Sequence, residues 1–95
     1  MVITAKEQME NGSPYTSGRI STLDKFSFTF GRIDVRAKLP KGQGLWAGVW
    51  LLGDNIKEVS WPTPGHISLL EMRGGDLDGR NNTIVGKVIY GTPST

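Results

Sequence analysis

A length of 95 residues fits one small domain, and a net charge of +2 is too slight to argue for nucleic acid or an anionic membrane as partner. The absence of cysteine excludes disulfides and thiol chemistry, and no run approaches the roughly 18–20 apolar residues of a membrane span. A chain this short hides only about 60–65% of its unfolded surface, so marginal stability is expected unless a partner helps.

Short strands separated by turn clusters predict an all-β fold. Val2–Lys6 reads as a strand, Asn11–Pro14 as a turn, and Tyr15–Thr22 as a polar, β-branched strand. Leu23–Lys25 turns the chain again. In Phe26–Leu39 the apolar residues alternate as Phe26, Phe28 and Phe30, then as Ile33, Val35, Ala37 and Leu39 on the opposite parity. A period of two forces a reset between them, and a bulge or bend at Gly31 is the cheapest device. Arg32, Asp34, Arg36 and Lys38 then face water. Pro40–Gly44 is a loop. Leu45–Leu52 is apolar enough for a central strand covered on both faces. Gly53–Gly65 is a long surface loop, His66–Met72 a strand, Arg73–Asn82 a hairpin loop and Thr83–Tyr90 the last strand. No long helix is predicted.

Chemistry concentrates in Trp61-Pro-Thr-Pro-Gly-His-Ile-Ser-Leu-Leu-Glu-Met-Arg-Gly74. This segment resembles the catalytic strand of laminarinase-like members of glycoside hydrolase family 16. Their Gly-Glu-Ile-Asp-Ile-Met-Glu pattern holds an acid, one spacer, an Asp, two spacers and a second acid. On a regular strand the two outer acids would face opposite sides, so one bulge residue must bring all three to the cleft. Other segments carry the likeness across nearly the whole chain: Tyr15-Thr-Ser-Gly-Arg-Ile20, Phe30-Gly-Arg-Ile33, Ala37-Lys-Leu-Pro-Lys-Gly-Gln-Gly44, Leu45-Trp-Ala-Gly-Val-Trp50 and Gly86-Lys-Val-Ile-Tyr-Gly91.

The resemblance implies an antiparallel β-sandwich of the concanavalin-like jelly-roll type. Residues 1–95 would form a single partial domain of about six strands, since the family sandwich extends beyond both Met1 and Thr95. It implies retaining hydrolysis of β-1,3- or mixed-linkage glucans, with two carboxyl groups about 5–5.5 Å apart. Carried over residue by residue, His66 stands at the nucleophile position, Ser68 at the middle Asp position and Glu71 at the acid/base position. Only Glu71 keeps its acid, so little or no turnover is expected. The departures from the family pattern fall on positions assigned to the cleft: His66, Ser68, Ala47, Gly48, Val49 and Ile89.

Each residue also has a plainer reading. Glu71 is otherwise a polar strand residue, and His66 a passive occupant of the old nucleophile site. Ser68 with His66 and Glu71 invites a Ser–His–acid reading, but no Gly-x-Ser-x-Gly elbow accompanies it. Trp46, Trp50 and Trp61 are candidates for stacking on sugar rings, with Trp50 equally suited to the core. Arg19 is expected to hydrogen-bond residue 66 or a sugar hydroxyl, or to pair with Glu71. Asp76–Asn82 looks superficially like a calcium loop but lacks the terminal bidentate acid, so a hairpin turn is expected and no metal or cofactor.

The expected partner is β-glucan polysaccharide or oligosaccharide, with no nucleic acid and no membrane. Uncovered strand edges at Val2-Ile-Thr-Ala and Ile84-Val-Gly-Lys-Val-Ile point to a homo-oligomer, most simply a dimer. The start, Met-Val-Ile-Thr-Ala-Lys, has no basic n-region followed by an apolar h-region, so secretion is not expected to be encoded in this stretch, whereas the resembled family is mostly extracellular. The rival reading is a non-catalytic glucan-binding module, or an engineered or self-assembling β-sandwich scaffold.

Overall fold

The structure, a computed structural model, describes residues 1–77 and 79–92. It holds two antiparallel sheets and no α-helix among the described residues. The first sheet is a hairpin of β1 (Lys6–Glu10) and β2 (Ser13–Thr16). Its turn is Asn11-Gly12, both at positive φ (49° and 81°), which suits a tight two-residue hairpin turn. Pairing starts where that turn brings the flanks together, so the first strand lies at Lys6–Glu10 rather than Val2–Lys6. The second begins at Ser13 rather than Tyr15. Pro14 donates no ladder hydrogen bond, and the register shifts across it.

The second sheet orders β3 (Trp46–Leu52), β4 (His66–Arg73) and β5 (Val85–Ile89) as β3-β4-β5. Thus β4 is the central strand, and β3, expected at the centre, lies at an edge of this sheet. The predicted bulge is present. Val49 pairs with Leu70, yet Trp50 pairs with Ser68. On the other side Ser68 pairs with Lys87, yet Glu71 pairs with Val85. Between residues 68 and 71, β4 therefore carries one more residue than either neighbour.

That extra residue resets the strand's parity. His66, Ser68, Glu71 and Arg73 share a face with Trp46, Gly48, Trp50, Lys87 and Ile89. Ala47, Val49, Leu51, Ile67, Leu70, Met72 and Val88 share the other, which is uniformly apolar. Ala47 and Val49 accordingly lie opposite the cleft and not in it. On the apolar face Met72 is buried, while Ile67 and Val88 stay exposed because no described strand packs over them.

Two loops frame the sheet. The 53–65 loop closes at a neck where Gly53 N–H donates to Gly65 C=O at 3.2 Å. A methyl placed on Gly53 would lie 2.0 Å from Pro64 O, so the backbones touch there and only glycine fits. At the other end Gly74 N–H donates to Leu45 C=O at 2.7 Å. The 74–82 connection carries a short 3₁₀ turn, Arg80–Asn82, where a simple hairpin loop was expected; Asp78 lies outside the described residues.

One expected strand is missing. Residues 26–39 form no ladder, and Phe26, Phe28 and Phe30 are exposed. Alternation gives a segment two faces, but a strand also needs a neighbour to take its N–H and C=O groups. No described segment pairs with it. The described residues therefore form five strands where about six were expected.

Candidate functional site

The bulge brings three side chains of β4 into one hydrogen-bonded row. His66 Nε2 lies 2.8 Å from Ser68 Oγ, and the Ser68 hydroxyl donates to Glu71 Oε1 at 2.7 Å. From β5, Lys87 Nζ spans both carboxylate oxygens, 2.8 Å from Oε1 and 3.0 Å from Oε2. A hydroxyl has one proton. Because Ser68 spends it on Glu71, it accepts from His66, which fixes the imidazole proton on Nε2. That polarity is the reverse of a Ser–His–acid triad, in which histidine accepts from serine. Neither Ser68 nor His66 Nε2 is poised as a nucleophile.

The Lys87 hydrogen bond, then the Ser68 hydrogen bond, hold the Glu71 carboxyl below its ordinary value of 4.5, against desolvation acting the other way. Glu71 is thus kept as a carboxylate. A general acid for glycoside cleavage needs the opposite tuning, a carboxyl that keeps its proton near neutral pH.

Aromatic rings border the row. Trp46, Gly48, Trp50, His66 and Glu71 line a cavity of about 290 Å³. The Trp50 and His66 rings lie 6.5 Å apart at 30°. Gly48 is the reason Trp50 can lie down: a methyl there would sit 3.2 Å and 3.3 Å from two carbons of its six-membered ring. Among the described residues, Glu71 is the one carboxylate lining this cavity.

The expected site residues are mostly brought together: His66, Glu71, Trp46 and Trp50 line the cavity, and the buried Ser68 links His66 to Glu71. Arg19 does not pair with Glu71. Its guanidinium stands 5.0 Å over the Trp50 ring, because Lys87 already occupies both carboxylate oxygens and an indole face offers a cation an alternative. Trp61 lies exposed in the 53–65 loop and is not among the residues lining this cavity. Lys87 and the packing role of Gly48 escaped sequence reasoning. Lys87 had a signal, since it stands two residues before Ile89, already assigned to the cleft, and must share its face.

A bulged antiparallel sheet with an aromatic-walled cleft on one side and an apolar face on the other defines part of a β-sandwich of the jelly-roll class. The family model for glycosyl hydrolases family 16 matches residues 1–83, and the chain belongs to that family. The laminarinase catalytic domain from Thermotoga maritima superposes with a TM-score of 0.72 at 36% identity, over 96% of this chain and 41% of that one. A β-glucanase of Rhodothermus marinus is 37% identical over 88% of this chain and 30% of its own length. A β-1,3-glucan-binding protein of Penaeus monodon is 45% identical over 67% of this chain and 18% of its own. The chain therefore spans well under half of each of these relatives.

Proposed function

We propose that this chain carries the glucan-binding face of a laminarinase-like family-16 hydrolase without its hydrolytic chemistry. The observation that carries the reading is that Glu71, held ionised by Lys87 and Ser68, is the single carboxylate of the cleft among the described residues. Glycoside cleavage, retaining or inverting, ordinarily uses two carboxyl groups, one of them protonated. Here the nucleophile position is His66, with its Nε2 proton donated to Ser68, and the middle position is a hydroxyl. What remains suits binding. Trp46 and Trp50, each with a guanidinium over one face, offer their remaining aromatic surface to the C–H patches of a pyranose ring. His66 and Glu71, which line the cavity, offer hydrogen bonds to its hydroxyls. Likeness both to a protein named for glucan binding and to one named a β-glucanase supports β-glucan as the ligand.

A pull-down on insoluble β-1,3-glucan beside a reducing-sugar assay tests this. Retention on the glucan with no release of reducing ends is expected. Robust release of oligosaccharides, abolished by Glu71→Gln, would overturn it.

A further inference from the structure

A second cavity, of about 380 Å³, opens at the Trp46 end of the sheet, with Gln43, Leu45, Trp46, Arg73 and Arg80 among its lining. Trp46 also lines the first cavity, so the two adjoin at that residue. Arg73, the cross-strand partner of Trp46, lays its guanidinium 4.8 Å over the indole. Stacking restrains a guanidinium by its face and leaves its in-plane N–H donors free. Arg80 and Gln43 converge over Gly75: a methyl on that glycine would lie 2.6 Å from Gln43 Oε1 and 3.4 Å from Arg80 Cδ.

The floor beneath them is fixed. Asn81 Oδ1 accepts from Gly42 N–H at 3.0 Å and from Gly75 N–H at 3.1 Å, and Asn81 Nδ2 donates to Gly75 C=O at 2.8 Å. The ion pairs among the described residues are Arg32–Asp34, Lys57–Asp24 and Lys87–Glu71, so neither Arg73 nor Arg80 is neutralised there. Among the described residues the lining of this cavity holds Arg73 and Arg80 and no carboxylate, while Glu71 of the neighbouring cavity is already paired with Lys87.

We propose that the Arg73–Arg80 cavity beside the cleft is a subsite for an acidic substituent, a sulfate ester or carboxylate, carried by a β-glycan lying across Trp46. This rests on the glycan-binding reading above and adds the chemical class of the ligand. A sugar hydroxyl meets a guanidinium by ordinary hydrogen bonds. An oxyanion can take two parallel, charge-assisted ones, roughly twice as strong. The amide of Gln43 adds a further donor.

The test is a set of calorimetric titrations with laminarin, sulfated laminarin, carboxymethylated β-1,3-glucan and, as an α-linked polyanion, dextran sulfate. The two acidic β-glucans are expected to bind at least about tenfold more tightly than laminarin. That gain should shrink as salt is raised. In Arg80→Gln the ratio of sulfated to neutral affinity should fall towards one, while Arg80→Lys keeps part of it; thermal melts of both variants check the fold. Equal affinity for laminarin and its acidic forms overturns the subsite and leaves glycan binding standing. Dextran sulfate held as tightly as sulfated laminarin overturns it too, because charge alone would then explain the gain. An undiminished ratio in Arg80→Gln has the same consequence. Failure to bind any β-glucan, acidic or neutral, sinks both this proposal and the reading it rests on.

Discussion

Gly48→Ala isolates the role of Trp50 without touching a polar group. The added methyl would meet two ring carbons of Trp50 at 3.2 Å and 3.3 Å, with Leu70 O at an ordinary 3.6 Å. Carbon atoms prefer about 3.5–4.0 Å, so the ring must move by roughly 0.2–0.8 Å. Overpacking of this kind costs about 1–3 kcal/mol in a tight core. Two features reduce the cost here. Trp50 is only half-buried and can tilt outward, and replacing glycine stiffens the unfolded chain by about 0.4–1 kcal/mol. The net loss of stability should therefore stay below about 2 kcal/mol, a fall in Tm of no more than roughly 16 °C. Binding should suffer through the tilted ring. An aromatic geometry worth about 0.5–1.5 kcal/mol, if lost, weakens affinity by roughly two- to tenfold. Tryptophan fluorescence titration with laminarin oligosaccharides, beside thermal unfolding, reads both quantities. Unchanged affinity in a variant whose Trp50 signal has shifted would refute the placement of Trp50 in the binding face.

Three further outcomes follow from the geometry. The Glu71 carboxyl, followed by carbon NMR, should titrate below 4.5 and move upward in Lys87→Met. A lowered folded pKa stabilises the fold above the ordinary value, and the contribution is lost as pH falls through the folded pKa; a midpoint at or above 4.5 in the parent would remove the ionised-carboxylate argument. Gly74→Ala should be severe, because its methyl would lie 1.9 Å from Gly42 O and 2.9 Å from Gly42 C and N, backbone atoms that cannot swing aside; a loss of about 2 kcal/mol or more is expected in chemical denaturation, and a neutral result would contradict the locked-loop description. The exposed apolar face of the three-stranded sheet and the unpaired 26–39 segment should drive self-association, most simply to a dimer. Sedimentation equilibrium at several micromolar loadings checks this, and a clean monomer with concentration-independent unfolding would rule it out.

The strand that carries the site was legible because its spacing conflicts with a period of two. Residues 66, 68 and 71 can share a face only across a bulge, and the ladder shows one between Ser68 and Glu71. The apolar run 46–52 likewise announced β3, though not its edge position, since a run of apolar residues reports burial and not strand order. Phe26–Leu39 shows the limit in the other direction. Its alternation is a preference for a two-faced environment, and pairing depends on a neighbour that local sequence does not contain. Lys87 and Arg19 divide for a similar reason. Which cation reaches Glu71 is decided by cross-strand register, Ser68 opposite Lys87, a long-range fact invisible in either segment alone.

The most direct test of binding without hydrolysis is native electrophoresis through a gel containing soluble mixed-linkage β-glucan, stained with Congo red after incubation. Retarded migration reports binding, and a cleared zone reports cleavage, from one band. With a single carboxylate held ionised by Lys87, the band is expected to be retarded and to leave the stain intact. A cleared zone that disappears in Glu71→Gln, or a band that runs as freely as it does without glucan, would contradict the account.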